Sequence, residues 1–144
     1  MVKLRHVGLA VENMERSMRL YKDIFGLEVV WNEIEHSSFI DRLSNINSVK
    51  VHTVKLKDSS GGMIELLQYL SHPEERNNDT INRIGCSHIA ITVSDIDSMY
   101  SILSDEGITF VNKPEKHPEE WVKAKVAFCR DHDGILIELV EELK

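Results

Sequence analysis

The chain repeats itself, and this duplication restricts its possible folds more than any other feature. His6-Val7-Gly8-Leu9-Ala10-Val11 resembles His88-Ile89-Ala90-Ile91-Thr92-Val93: a histidine, then an alternation of branched, small and apolar residues. A short polar step follows each copy, Glu12-Asn13 in one and Ser94-Asp95 in the other. Apolar residues then recur at helical spacing: Met14, Met18, Tyr21 and Phe25 in the first copy, Ile96, Met99, Tyr100 and Leu103 in the second. Asn13 and Asp95 stand where N-caps belong, because a short side-chain oxygen there can accept from a free backbone N–H of the first turn. Gly26 and Gly107 stand where a helix ends in the left-handed conformation.

The two halves also close alike. Leu27 to Trp31 and Ile108 to Val111 read as the next strands, Val49 to Leu56 and Lys123 to Phe128 as the ones after. Gly62-Met63-Ile64-Glu65-Leu66-Leu67 and Gly134-Ile135-Leu136-Ile137-Glu138-Leu139-Val140 are each a glycine turn into an apolar strand carrying one Glu. Each half is therefore expected to be a βαβββ module, 1–70 and 86–144, joined by a polar linker over 71–85. One such module leaves a sheet face uncovered, so two in one domain are the expected way to complete a core. The fold class expected is α+β.

The repeat also marks the chemistry. A lone His at a strand start, or a lone Glu in a strand, is ordinarily a surface or structural residue. Chance exposure gives no reason for a His and a Glu to recur together at equivalent places. His6, Glu65, His88 and Glu138 thus form a candidate set of two imidazoles and two carboxylates, suited to Zn, Ni, Co, Mn or Fe(II). His36, His52, His72, His117 and His132 have no counterpart in the other half and are expected to be loop or surface residues.

These segments resemble the vicinal oxygen chelate superfamily, which includes glyoxalase I, methylmalonyl-CoA epimerase, extradiol dioxygenases, fosfomycin-resistance enzymes and bleomycin-binding proteins. The likeness runs from His6 to Glu141. Its strongest pieces are His6 to Val11, Leu20-Tyr21-Lys22-Asp23-Ile24-Phe25-Gly26-Leu27, Ser87 to Val93, and the turn Arg130-Asp131-His132-Asp133-Gly134 into Glu138-Leu139. The resemblance implies paired βαβββ modules curled into a half-barrel around a divalent metal held by His6, Glu65, His88 and Glu138. Four protein ligands fit the glyoxalase and epimerase branches best. That branch moves a proton beside a metal-bound carbonyl through an enediolate, with a carboxylate as base; the resemblance favours Glu138, then Glu65, and the symmetric sequence does not decide between them. Ile64-Glu65-Leu66-Leu67 and Lys123 to Phe128 resemble epimerase segments. The stretch Leu43 to Val49, where a second catalytic Glu is expected of an epimerase, carries amides and no carboxylate. Arg5, Arg42 and Arg130 are, by charge alone, the candidates for holding a glutathione carboxylate. A non-catalytic metal- or ligand-binding protein is the remaining alternative.

Charge and composition limit the partners. With 17 Lys and Arg against 24 Asp and Glu, the formal charge is −7, which disfavours nucleic acid and anionic membrane surfaces. No apolar run approaches the roughly 20 residues of a membrane span. The start of the chain lacks the apolar core of a signal peptide, and Cys86 and Cys129 are far apart, so a cytoplasmic protein with reduced thiols is expected. Asn78-Asp79-Thr80 is then a chance glycosylation motif. The expected partners are a small carbonyl or thioester substrate and, by resemblance, a second copy in a homodimer. Trp121 is expected either to cap a substrate pocket or to anchor its loop on the sheet edge, and Glu141 and Glu142 to form a solvated end.

Overall fold

A computed structural model describes residues 1–76, 80–85 and 87–144. The chain divides into two compact units, Met1–Glu75 and Arg76–Lys144. Cys86 and the Asn78 motif lie outside the described residues.

In the first unit β1 (Val7–Ala10) leads into α1 (Met14–Met18), which continues as a π-helical stretch, Arg19–Ile24. Strands β2 (Glu28–Glu35), β3 (Val51–Lys57) and β4 (Met63–Tyr69) complete a sheet in the order β1-β4-β3-β2. β1 runs parallel to β4, and the other neighbours are antiparallel. The second unit repeats this plan with β5 (Ile89–Thr92), α3 (Ile96–Asp105), β8 (Ala124–Arg130) and β9 (Leu136–Glu142). Its sheet order is β5-β9-β8-β6, and the place of β2 is shared by two short strands on β8, β6 (Thr109–Phe110) and β7 (Glu115–Lys116).

The expected caps form. Asn13 Oδ1 accepts from Arg16 N at 3.0 Å, and Asp95 Oδ1 from Ser98 N at 2.9 Å. Gly26 and Gly107 end their helical segments at φ 74° and 80°. Two differences from the sequence reading stand out. A second helix, α2 (Ser38–Ser44), occupies the β2–β3 connection, capped by Ser37 and closed by Asn45 at φ 56°. The first helix widens after Met18, where Phe25 N donates to Leu20 O. Met14 and Tyr21 of the expected apolar stripe are buried, and Ser17 and Leu20 are buried with them, while Met18 and Phe25 are half-buried.

One face of each sheet is fixed by its helix. In the first unit Gln68 Oε1 accepts from Met14 N at 3.1 Å and its Nε2 donates to Glu12 O at 3.0 Å. In the second, Glu141 Oε2 accepts from Ile96 N at 3.0 Å. Each side chain stands three residues after the repeated Glu and satisfies a free N–H of a first helical turn. Glu141 is thus a capping residue and not part of a solvated end. Leu56, Leu66 and Val54 are fully buried in the first unit, and Ile96, Leu103, Ile137 and Leu139 in the second.

Candidate metal centre

Side chains alternate across a strand, so residues on either side of those helix-facing positions point to the opposite face. Gln68 and Leu66 belong to the α1 side of β4, which turns Glu65 and Leu67 away from it. Glu141 belongs to the α3 side of β9, and Lys125 of β8 is on that side too, paired with Asp97 of α3. Glu138 and its cross-strand neighbour Phe128 therefore lie on the other face.

The turn before each of these strands is built alike. Asp58 Oδ1 accepts from Ser60 N at 2.7 Å and Gly62 N at 2.9 Å. Asp131 Oδ1 accepts from Asp133 N at 2.9 Å and Ile135 N at 2.8 Å. Gly61 and Gly134 supply the positive φ, at 98° and 82°. Each Asp stands seven residues ahead of the Glu, so the same turn sets the same strand register twice. The hydrogen bonds of Asp58, that from the Ser60 hydroxyl foremost, hold its carboxyl below the ordinary carboxylate value.

On these faces the repeated residues meet in pairs. His6 Nε2 lies 2.9 Å from Glu65 Oε2, and His88 Nε2 lies 3.1 Å from Glu138 Oε2. The side chains of Glu65 and Glu138 are 15% and 25% exposed, so both are shielded yet reachable. Among the described residues no group of three or more His, Cys, Asp or Glu side chains is drawn together, and each unit presents its pair by itself.

The pairs fit a divalent cation in their chemistry. In each pair one imidazole nitrogen and one carboxylate oxygen stand within 2.9 and 3.1 Å of each other, and the same two atoms would be the ones to hold a cation. Neutral imidazole and carboxylate are the donors that borderline ions take.

The surroundings of the pairs differ in ways the sequence reading missed. Glu65 is paired across the strands with Lys55, whose Nζ lies 3.5 Å from Glu65 Oε1 and 5.6 Å from the centre of the Trp31 ring. At the matching place Glu138 has Phe128, whose ring makes an edge contact with His88 at 5.3 Å between centroids. Ser87 Oγ lies 2.9 Å from His88 Nδ1, while His6 Nδ1 is buried without a hydrogen-bond partner. Gly8 and Ala90 occupy the strand position beside each Glu.

Three of the other histidines hold local structure. His36 Nδ1 is 2.9 Å from Val49 O, His52 Nε2 is 2.7 Å from Asn32 Oδ1, and His117 Nδ1 accepts from Glu119 N at 3.2 Å. His52 sits within β3 and not in a loop. Arg130 Nη1 donates to Gly134 O at 2.8 Å, bracing the turn before β9. Trp121 is 78% exposed and donates to Glu119 Oε2 at 3.1 Å, so its own loop holds it and the sheet edge does not. Cys129 is fully buried, and burial pushes its thiol up to about 12.

Comparison with known proteins decides the family. The profile of the glyoxalase/bleomycin resistance protein/dioxygenase superfamily matches residues 3–139. The chain belongs to this superfamily. Members of this glyoxalase superfamily commonly use divalent metals. Three curated relatives share its pattern. The uncharacterized protein YraH of Bacillus subtilis is 29% identical over 99% of this chain and its own full length. A lactoylglutathione lyase of Schizosaccharomyces pombe is 24% identical over 97% of this chain, which spans only 47% of that enzyme. A mitochondrial methylmalonyl-CoA epimerase of Dictyostelium discoideum is 28% identical over 97% of this chain and 78% of its own. Among solved structures, a glyoxalase family protein of Bacillus cereus shares the fold at a TM-score of 0.91, with 24% identity, over 100% of this chain and 96% of its own. Among the described residues, no helix is long and apolar enough to cross a membrane.

Proposed function

We propose that His6, Glu65, His88 and Glu138 together bind one divalent cation (Ni, Zn, Co, Mn or Fe) and that the protein is a glyoxalase-like isomerase or lyase. In this reading the 144 residues act as one domain of two repeats, and a cytoplasmic homodimer is its working form. The reading rests on one observation: the same His–Glu pair, at cation-compatible spacing, stands at the same register on the helix-free face of both sheets.

When bound, the cation polarises a carbonyl oxygen and so acidifies the adjacent C–H. The chain's own groups divide the remaining work. Glu65 is held at both oxygens, Oε2 by His6 and Oε1 by Lys55, and stays in place. Glu138 is engaged at Oε2 by His88, and no described cation holds its other oxygen. It is therefore the carboxylate free to turn toward a substrate C–H, take the proton and return it to a neighbouring carbon. The Phe128 ring beside the pair keeps water from that side of His88.

A methylmalonyl-CoA epimerase-like activity is the alternative, supported by the likeness to the Dictyostelium enzyme. Returning a proton to the opposite side of one carbon calls for a second acid. Between β2 and β3 the carboxylate at hand is Asp41, and its two oxygens accept from Ser48 N at 2.8 Å and Val49 N at 2.9 Å. That commitment to the turn favours the single-base reading.

The test is solvent deuterium incorporation by metal-loaded protein, with lactoylglutathione and methylmalonyl-CoA as the two probes. Exchange at the α-carbon of the first is expected, and Glu138→Gln should abolish it while ligand binding persists. Binding without exchange in the wild type identifies a sequestering protein, and wild-type exchange in Glu138→Gln removes the base assignment.

A further inference from the structure

We propose that Lys55, flanked by Trp31, is a specificity-determining residue that selects carbonyl substrates carrying one carboxylate. This rests on the four-ligand reading above and names the substrate class of that site. Strand register puts both side chains beside the first His–Glu pair. Trp31 stands opposite Lys55 and Lys55 opposite Glu65, so the three form one row across β2, β3 and β4. Residues opposite each other on antiparallel strands share a face, and this row lies on the helix-free one. A β-bulge between Val29 and Trp31 makes the row possible. Without the extra residue Val30 would stand opposite Lys55, and the indole would turn to the helix side. The bulge thus sets an indole that is 46% exposed beside the pair, with the Lys55 ammonium 5.6 Å from its ring centre.

Charge gives the row its selectivity. Lys55 Nζ lies 3.5 Å from Glu65 Oε1, beyond the roughly 2.7–2.9 Å of a charge-assisted hydrogen bond, and an ammonium has further N–H donors to offer. While no cation is bound, Glu65 balances this ammonium by itself. In the four-ligand reading Glu65 and Glu138 neutralise the dication, and the single charge of Lys55 is left over. The other carboxylates of the face are committed or displaced. Glu28 lies 3.5 Å from Lys57 Nζ, and Glu35 Oε2 accepts from Thr53 Oγ1 at 2.5 Å. Glu33 stands opposite Thr53 on the exposed edge strand, where its charge disfavours a dianion such as phosphate. A substrate carboxylate supplies the one missing charge, with the indole as its wall. Phe128 holds the matching place in the second unit, so this selection belongs to the first unit.

Pyruvate and pyruvamide, alike in shape and different in charge, test this when titrated calorimetrically into zinc-saturated protein. Zinc itself favours the carboxylate, so the quantity read is the change in the pyruvate-to-pyruvamide affinity ratio between variants. Lys55→Met should lower that ratio about tenfold with pyruvamide affinity nearly unchanged, and Lys55→Arg should keep it. Trp31→Leu should weaken both probes alike. Zinc content and circular dichroism of the same samples show that each variant is loaded and folded. Zinc uptake with the wild-type ratio in Lys55→Met, or with the ratio lost equally in Lys55→Arg, overturns the substrate selection and leaves the four-ligand reading standing. A wild type that takes up no zinc overturns that reading, and with it the leftover charge on which the selection depends.

Discussion

Replacing Lys55 with methionine separates charge from shape at the first His–Glu pair. Methionine keeps an unbranched apolar stem beside Trp31 and removes the ammonium, which lies 3.5 Å from Glu65 Oε1. A dication held by His6 and the same carboxylate would be repelled by that ammonium. Charges of +1 and +2 about 5 Å apart repel by about 1.7 kcal/mol at the bulk-water dielectric of about 80, and by about 7 kcal/mol at an effective dielectric of about 20. The lower figure suits a lysine that is 27% exposed and screened by salt. Since about 1.4 kcal/mol is tenfold in affinity, Lys55→Met should tighten zinc or nickel binding about tenfold or more. Loss of the Lys55–Glu65 pair should cost about 1 kcal/mol of folding stability or less. Chelator competition at low and high salt measures the first effect, which should shrink as salt is raised; urea unfolding measures the second. Lys55→Arg, which keeps the charge, should stay near the wild type. Unchanged or weaker metal binding in Lys55→Met refutes the argument and makes the lysine a clamp whose orienting effect outweighs its charge.

Other consequences follow from named groups. Asp58 and Asp95 have carboxyl groups held below the ordinary value of 3.8, chiefly by the hydroxyls of Ser60 and Ser98. The unfolded chain therefore takes up protons first as pH falls, so their stabilisation is complete above that value and disappears as pH drops through the lowered folded one. Urea midpoints followed from neutral to acid pH should fall less steeply in Asp58→Asn and Asp95→Asn than in the wild type. Cys129, buried and with its thiol pushed up to about 12, should resist alkylation in the folded protein and react in urea; rapid native labelling located at Cys129 by mass spectrometry contradicts its burial. A Cβ added to Gly8 meets Leu67 Cδ1 at 3.5 Å and Glu65 Oε2 at 4.0 Å, ordinary contacts matching those of a small residue like Ala90 at the equivalent place. Gly8→Ala should thus raise stability by about 0.4–1 kcal/mol through the unfolded state, and a loss in urea unfolding contradicts that.

The elements with a local chemical signal could be read from the sequence. Asn13 and Asp95 as caps, Gly26 and Gly107 as helix ends, and the strands carrying Glu65 and Glu138 depend on neighbours within a few residues. The duplication then singled out His6, Glu65, His88 and Glu138 for their recurrence. What escaped was set by contacts across the sheet. Lys55 has no recurrent partner, because Phe128 holds its place, and its approach to Glu65 follows from the β3–β4 register. Glu141 passes for a tail residue until β9 brings it to the start of α3, as β4 brings Gln68 to α1. The contact of Ser87 with His88 became visible only through their geometry. Helix α2 has only seven residues, too short a window for its apolar Phe39, Ile40 and Leu43 to mark a helix.

Metal content bears most directly on the central claim. Protein purified without chelators, then equilibrated separately with nickel, cobalt, zinc and manganese and desalted, is assayed for bound metal alongside His6→Ala, Glu65→Ala, His88→Ala and Glu138→Ala. The His₂Glu₂ reading predicts about one ion per chain in the wild type and a weakened or lost ion in every variant. Less than about half an ion per chain with all four metals, or full loading in variants from both repeats, contradicts it.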